Sequence, residues 1–145
     1  SHLARIDDAE SPAFLARRDP MAHQQYASCI EACLDCAVEC NHCASACLQE
    51  QDMKMMARCI ALDLDCAAVC ELAAAAMARN SENVSSICAL CADICEACAD
   101  ECAKHSPMEH CQRCAEACRR CADECRRMAQ MPRGQANQTM GGHAH

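Results

Sequence analysis

Residues 29–47 read CIEACLDCAVECNHCASAC, and the spacing of their cysteines decides the fold. Cys29, Cys33, Cys36, Cys40, Cys43 and Cys47 follow at steps of four, three, four, three and four. That is the heptad spacing of one helix face, the a and d positions that point to the axis of a bundle. Residues 88–102, CALCADICEACADEC, repeat it with Cys88, Cys91, Cys95, Cys98 and Cys102. Residues 111–125, CQRCAEACRRCADEC, repeat it again with Cys111, Cys114, Cys118, Cys121 and Cys125. A thinner version, Cys59, Cys66 and Cys70, lies between them. Its register predicts inward positions at Met56, Asp63, Ala73 and Met77. Strands alternate with a period of two, and no strand reading fits these steps.

Working outward from the ladder, boundary residues divide the chain. Asp19-Pro20 is an N-cap and first-turn pair that opens a helix running to about Glu50. A second helix is expected from about Asp52 to Arg79, and Asn80-Ser81 breaks it. A third runs from about Glu82 to His105. Ser106-Pro107-Met108-Glu109 reads as a capping box with Pro in the first turn, opening a fourth helix that fades near Met131-Pro132. Short connections imply antiparallel neighbours. The expectation is therefore an all-α, antiparallel four-helix bundle over residues 20–131. Residues 1–19 are expected to hold a short extra N-terminal helix, from Ser11-Pro12 to about Arg18. Residues 132–145, rich in Gly, Asn, Gln and His, are expected to form a flexible tail.

Composition narrows the function. The chain of 145 residues has 19 Cys but one Tyr, one Phe and no Trp, so small side chains must fill the core. A formal net charge of −8 without aromatic platforms argues against nucleic acid as a partner. No apolar run approaches the roughly 20 residues of a membrane span. The residues after Arg17-Arg18 are polar, so no leader peptide is read, and a cytoplasmic location is expected.

Every thiol of the chain falls on the ladder. Eight C-x-x-x-C pairs hold sixteen of them, leaving Cys59, Cys88 and Cys111 without an i+4 thiol. Packing alone needs no such array, because Ala fills similar space without the liability to oxidation. Disulfides along one helix are strained, since i and i+4 Cβ atoms lie about 5–6 Å apart where a disulfide wants about 4 Å. Metal binding remains. Zinc takes closed four-ligand sites, and each four-thiolate site carries a net −2, which accumulates as buried charge in a dry core. Cu(I) is a soft d¹⁰ ion that prefers thiolates and accepts two or three of them. Each ion displaces one thiol proton, so a core filled at near one copper per sulfur is neutral. Multiple Cu(I) ions per chain are the expected cargo, with zinc or general soft-metal detoxification as the alternative. No general base, substrate pocket or inward Glu-x-x-His pair is visible, so no enzyme is read.

The three cysteine repeats resemble the bacterial copper storage proteins, and the resemblance covers Cys29 to Cys125. It implies a four-helix bundle whose C-x-x-x-C pairs hold Cu(I), and the absent leader looks like the cytosolic branch of that family. It also implies a homotetramer, which the residues alone do not give. A copper chaperone is the delivery partner to be considered.

Other residues join the candidate site. Asp63 occupies the slot of the thiol that would complete a pair with Cys59, either as an oxygen ligand or proton acceptor in the core or as a helix-edge residue turned to solvent. His105 extends the third ladder by one step and His110 precedes Cys111. In an antiparallel bundle these share one end with Met53, Met55, Met56 and Met108, around Cys47, Cys59, Cys102 and Cys111. That end is expected to be the mouth for Cu(I), with His105, His110, Met56 and Met108 as ligands. The other end offers Tyr26, Met77, Val84 and Met128 as an apolar plug. Ile30, Leu34 and Val38, with Ile87, Leu90 and Ile94, form second stripes that either flank the seam or enter an oligomer interface.

Overall fold

The computed structural model describes residues 20–131, in which four helices run α1 (Pro20–Cys47), α2 (Met53–Ala78), α3 (Val84–Ala103) and α4 (Glu109–Gln130). The expected N-terminal helix of residues 11–18 and the tail of residues 132–145 lie outside the described residues. Each helix packs on its two neighbours in ring order, α1 on α2, α2 on α3, α3 on α4 and α4 on α1. Pro20 opens α1, where its missing N–H leaves no gap in the ladder of hydrogen bonds. Asp52 caps α2, its side chain accepting from Met55 N at 3.2 Å.

At the other end of α2, Asn80 adopts φ 52°, a left-handed conformation that asparagine tolerates. Ser81 N then donates to Ala76 O at 2.9 Å and Asn80 N to Met77 O at 3.0 Å, which closes the helix with its last carbonyls satisfied. The break expected at Asn80-Ser81 is this cap.

The expected capping box of α4 does not form. The helix begins at Glu109, its N-cap position is Met108, and no side chain caps it. Ser106 and Pro107 are used instead at the centre of a turn that Met108 N closes onto His105 O at 2.9 Å. Reversing direction within a few residues of α3 required that turn, and it displaced the start of α4. For similar reasons α1 and α3 end a little earlier than expected, at Cys47 and Ala103, as the chain tightens into three-residue turns.

The core is made of cysteine and alanine. All nineteen cysteines are fully buried, and Ala32, Ala37, Ala67, Ala73, Ala92, Ala99, Ala115 and Ala122 fill the flanks of the seam. Met56, Asp63, Ala73 and Met77 lie inward on α2 as the register predicts. Such small residues let the helices lie close, and arginines on α4 secure them from outside. Arg113 pairs with Glu39, Arg120 with Glu31 and Asp35, and Arg126 with Asp93 and Glu96. These pairs lie in contact with solvent, where screening leaves each of them little weight in stability. Ile30, Ile87 and Ile94 pack against the core, whereas Leu34, Leu64, Leu72 and Leu90 stay about half exposed and Val38 more so.

Candidate metal centre

Heptad spacing on four helices brings the thiols into one continuous column, and all nineteen are free. Within helices, Cys36 lies 3.8 Å from Cys40, Cys43 3.8 Å from Cys47, Cys91 3.8 Å from Cys95 and Cys114 3.9 Å from Cys118. Contacts between helices are as short or shorter: 3.5 Å for Cys33 with Cys125, for Cys59 with Cys102 and for Cys66 with Cys95, and 3.6 Å for Cys40 with Cys114 and Cys70 with Cys121. Sets of four sulfurs lie within 4.8 Å of one another, among them Cys36, Cys40, Cys66 and Cys118, then Cys36, Cys66, Cys70 and Cys95, then Cys40, Cys98, Cys114 and Cys118. These sets share members. Cys36 and Cys66 belong to two of them, as do Cys40 and Cys118, so the column is not divided into closed sites.

Burial works against ionisation throughout the column. Burial pushes the Cys111 thiol up to about 11, helped by the nearby Cys59. Burial likewise raises Cys47, again with Cys59 and Cys111 adding to it. Neutral thiols donate weak hydrogen bonds to one another, and the core behaves as a small-residue apolar core.

Asp63 interrupts the column at the slot expected for a thiol, and it is fully buried. Its Oδ1 accepts from Cys98 at 3.2 Å, Cys114 at 3.3 Å and Cys102 at 3.6 Å, and its Oδ2 accepts from Cys59 at 3.8 Å. The helix-edge alternative is therefore not the one adopted. Burial raises the carboxyl to about 8, with the neighbouring Cys114 and Cys59 adding to the shift and the hydrogen bond from Cys98 opposing it.

At the end formed by the α1–α2 and α3–α4 connections, Cys43, Cys47, Cys59 and Cys111 form a further set of four. His110 Nδ1 sits beside it, 3.5 Å from Cys111 Sγ, 3.6 Å from Cys43 Sγ and 3.9 Å from Cys47 Sγ. His105 is nearly buried and its Nε2 meets Glu101 Oε2 at 3.0 Å. Met56 is fully buried and Met108 partly so, both against the core, while Met53 and Met55 are half exposed. The structure thus gathers the expected end residues, His110 in direct contact with thiols and His105 turned to a carboxylate.

Two carboxylates at this end were not among the expected residues. Glu101 is nearly buried and is held by Arg58 at 2.7 Å, Lys104 at 3.5 Å and His105. Its spacing four residues before His105 carries a sequence signal, since i and i+4 side chains meet on a helix. Glu50, whose Oε2 lies 3.1 Å from His110 Nε2, stands in a turn and reaches across to α4, so periodicity gives no hint of it.

At the opposite end Tyr26, Met77 and Val84 are buried, with Met128 partly buried beside them. The Tyr26 hydroxyl donates to Asn80 Oδ1 at 3.4 Å.

Known proteins share this arrangement. The profile of the copper storage protein family (Csp) matches residues 22–130. An uncharacterized cysteine-rich protein, YhjQ, of Bacillus subtilis (strain 168) is 53% identical over 92 residues, spanning 63% of this chain and 84% of that protein. The structure of the Cu(I)-bound copper storage protein BsCsp3 is similar with a TM-score of 0.69 at 52% identity, covering 72% of this chain and 98% of that one. A cytosolic copper storage protein from Streptomyces lividans carrying five coppers gives a TM-score of 0.72 at 41% identity, covering 77% of this chain and 97% of that one.

Proposed function

From the premise that the chain belongs to the copper storage protein family, we propose that it stores many Cu(I) ions on its core thiols. The observation that carries this reading is the overlap of the four-sulfur sets. Zinc takes four ligands in a closed tetrahedral site, whereas the shared sulfurs suit bridging between Cu(I) ions that each need two or three ligands. Charge points the same way. Each ion converts Cys–SH to Cys–S–Cu and releases one proton, so the filled core stays neutral, while zinc thiolate sites would accumulate negative charge out of contact with water.

The site comprises the nineteen cysteines, with Asp63, His105, His110, Met56 and Met108 as further ligands or acceptors. Imidazole and thioether bind Cu(I) without first losing a proton when neutral, so the end bearing them is the mouth, and the thiols beneath take the ion onward. The protein is a store and not an enzyme. Its setting is the cytosol, as for the Streptomyces relative, with a copper chaperone as the delivery partner. Among the described residues no helix is long and apolar enough to cross a membrane. Self-association into a homotetramer is supported by exposed Leu34, Val38, Leu64 and Leu72, which an interface would cover.

Anaerobic titration of the fully reduced protein with Cu(I) and with Zn²⁺, each against a competing chelator, tests the reading. Capacity near one Cu(I) per thiol, about 19 per chain, is expected. A plateau at four or five ions with zinc preferred would replace it with the zinc buffer, which the individual four-sulfur sets could serve.

A further inference from the structure

Both histidines at the thiol-lined mouth are held by their Nε2 atoms, and in both cases the partner is a carboxylate. An ionised carboxylate only accepts hydrogen bonds, so the imidazole nitrogen facing it must carry the proton. A neutral imidazole with its proton on Nε2 has its lone pair on Nδ1. For His110 the consequence is visible. Nδ1 lies 3.5 to 3.9 Å from the sulfurs of Cys111, Cys43 and Cys47, the place where an ion bound by those thiols would sit.

We infer that Glu50 is a positioning residue for copper uptake, fixing the His110 ring so that Nδ1 presents its lone pair to the mouth thiols. The geometry for this is built into the turn. Glu50 N donates to Cys47 O at 3.1 Å, so the carboxylate is anchored to the last residue of the α1 ladder and extends from there to the first turn of α4. Its side chain is about one-third exposed and needs no partner for its own solvation. The hydrogen bond therefore serves the imidazole more than the carboxylate. Such outer carboxylates orient metal-binding histidines and set their tautomer in many metal sites. Glu101 stands in the same relation to His105, but Arg58 and Lys104 hold it as well, so it also ties α2 to α3. Glu50 is the cleaner case because no other ion pair recorded among the described residues competes for it.

The inference rests on the reading of this end as the mouth, and the two can be tested apart. In reduced, metal-free protein, long-range proton–nitrogen NMR reads the His110 tautomer without copper. The Nε2–H form should dominate, and Glu50→Ala should give a mixture of both tautomers. With Cu(I) supplied from a chelator, Glu50→Ala should weaken capture of the first equivalents about tenfold, with total capacity unchanged. Glu50→Gln, whose carbonyl oxygen accepts the same N–H, should restore most of the loss. In a His110→Ala background Glu50→Ala should have no further effect. An unchanged tautomer in Glu50→Ala, a Gln variant as impaired as the Ala variant, or an undiminished effect in the His110→Ala background would each overturn the inference. If His110→Ala alone left first-ion capture unchanged, the mouth would lie elsewhere, and the tautomer measurement would still decide what Glu50 does to the ring.

Discussion

The two halves of the bundle are built on the same cysteine ladder and differ in what the thiols face. Towards the Tyr26 end, Cys29, Cys33, Cys121 and Cys125 have each other as hydrogen-bonding partners and Cys91 has Cys70 and Cys95, closed over by an aromatic ring, thioethers and a valine. Towards the other end, Cys98, Cys102 and Cys114 converge on the Asp63 carboxyl, and Cys43, Cys47 and Cys111 on the His110 imidazole. Every thiol is fully buried in both halves, so exposure does not distinguish them. What differs is whether a thiol has a nitrogen or oxygen acceptor within reach. A ladder of identical residues thus acquires a direction from a handful of substitutions at its rungs and its ends.

The sharpest way to test this asymmetry is pH. Unfolded, Asp63 loses its proton near 3.9. Folded, burial and neighbouring thiols raise it to about 8. Between those values the folded state keeps a proton that the unfolded state has released, so the contribution of Asp63 to stability is full below about pH 4 and is lost as pH rises towards 8. Denaturation of reduced, metal-free protein across that window should show a loss on the order of 5 kcal/mol from this group, and Asp63→Asn should flatten it. A variant as steep as the parent between pH 4 and 8 would mean that the carboxyl does not titrate as its surroundings require.

Breaking the closed end should change stability and leave uptake alone. Tyr26→Ala removes a buried ring and its hydrogen bond to Asn80, and should cost the metal-free fold about 3 kcal/mol in urea denaturation. Its rate of Cu(I) uptake should match the parent under conditions where both are folded. Accelerated loading in Tyr26→Ala or Met128→Ala would place a mouth at that end.

The mouth should show the reverse. His105→Ala, Met108→Ala and His110→Ala combined should slow both uptake and removal of Cu(I) by about tenfold in stopped-flow transfer, with final capacity nearly unchanged. Equal rates for variant and parent would make these residues space-filling.

The ladder, the four helices of the bundle and the residues gathered at each of its ends were legible in the sequence because each rests on periodicity, and a seam of 19 cysteines in four registers leaves little choice. Asp63 was legible as a position but not as an environment. Its register slot could face a core or an edge, and only packing of α3 and α4 around it decided. The start of α4 misled because Ser106 and Pro107 satisfy the chemistry of a helix cap and of a tight turn equally well, and the reversal between α3 and α4 selected the turn. Glu50 was beyond reach, since a carboxylate in a connection meets its partner only once the helices have closed the ring.

Loading through the proposed mouth alone would set the order in which ions move. Cys29 and Cys47 lie on one helix about 27 Å apart along its axis, with the proposed mouth beside Cys47 and the buried Tyr26, Met77 and Val84 at the end of Cys29. A column filled and emptied through one opening works as a stack. The ions that arrive last are the first to leave, and those lodged near Cys29, Cys88 and Cys125 turn over only when the positions above them clear. A cell drawing on such a column would spend recent copper and keep old copper. A brief pulse of one copper isotope after saturation with another would reappear early in the released metal, ahead of the ions it covered.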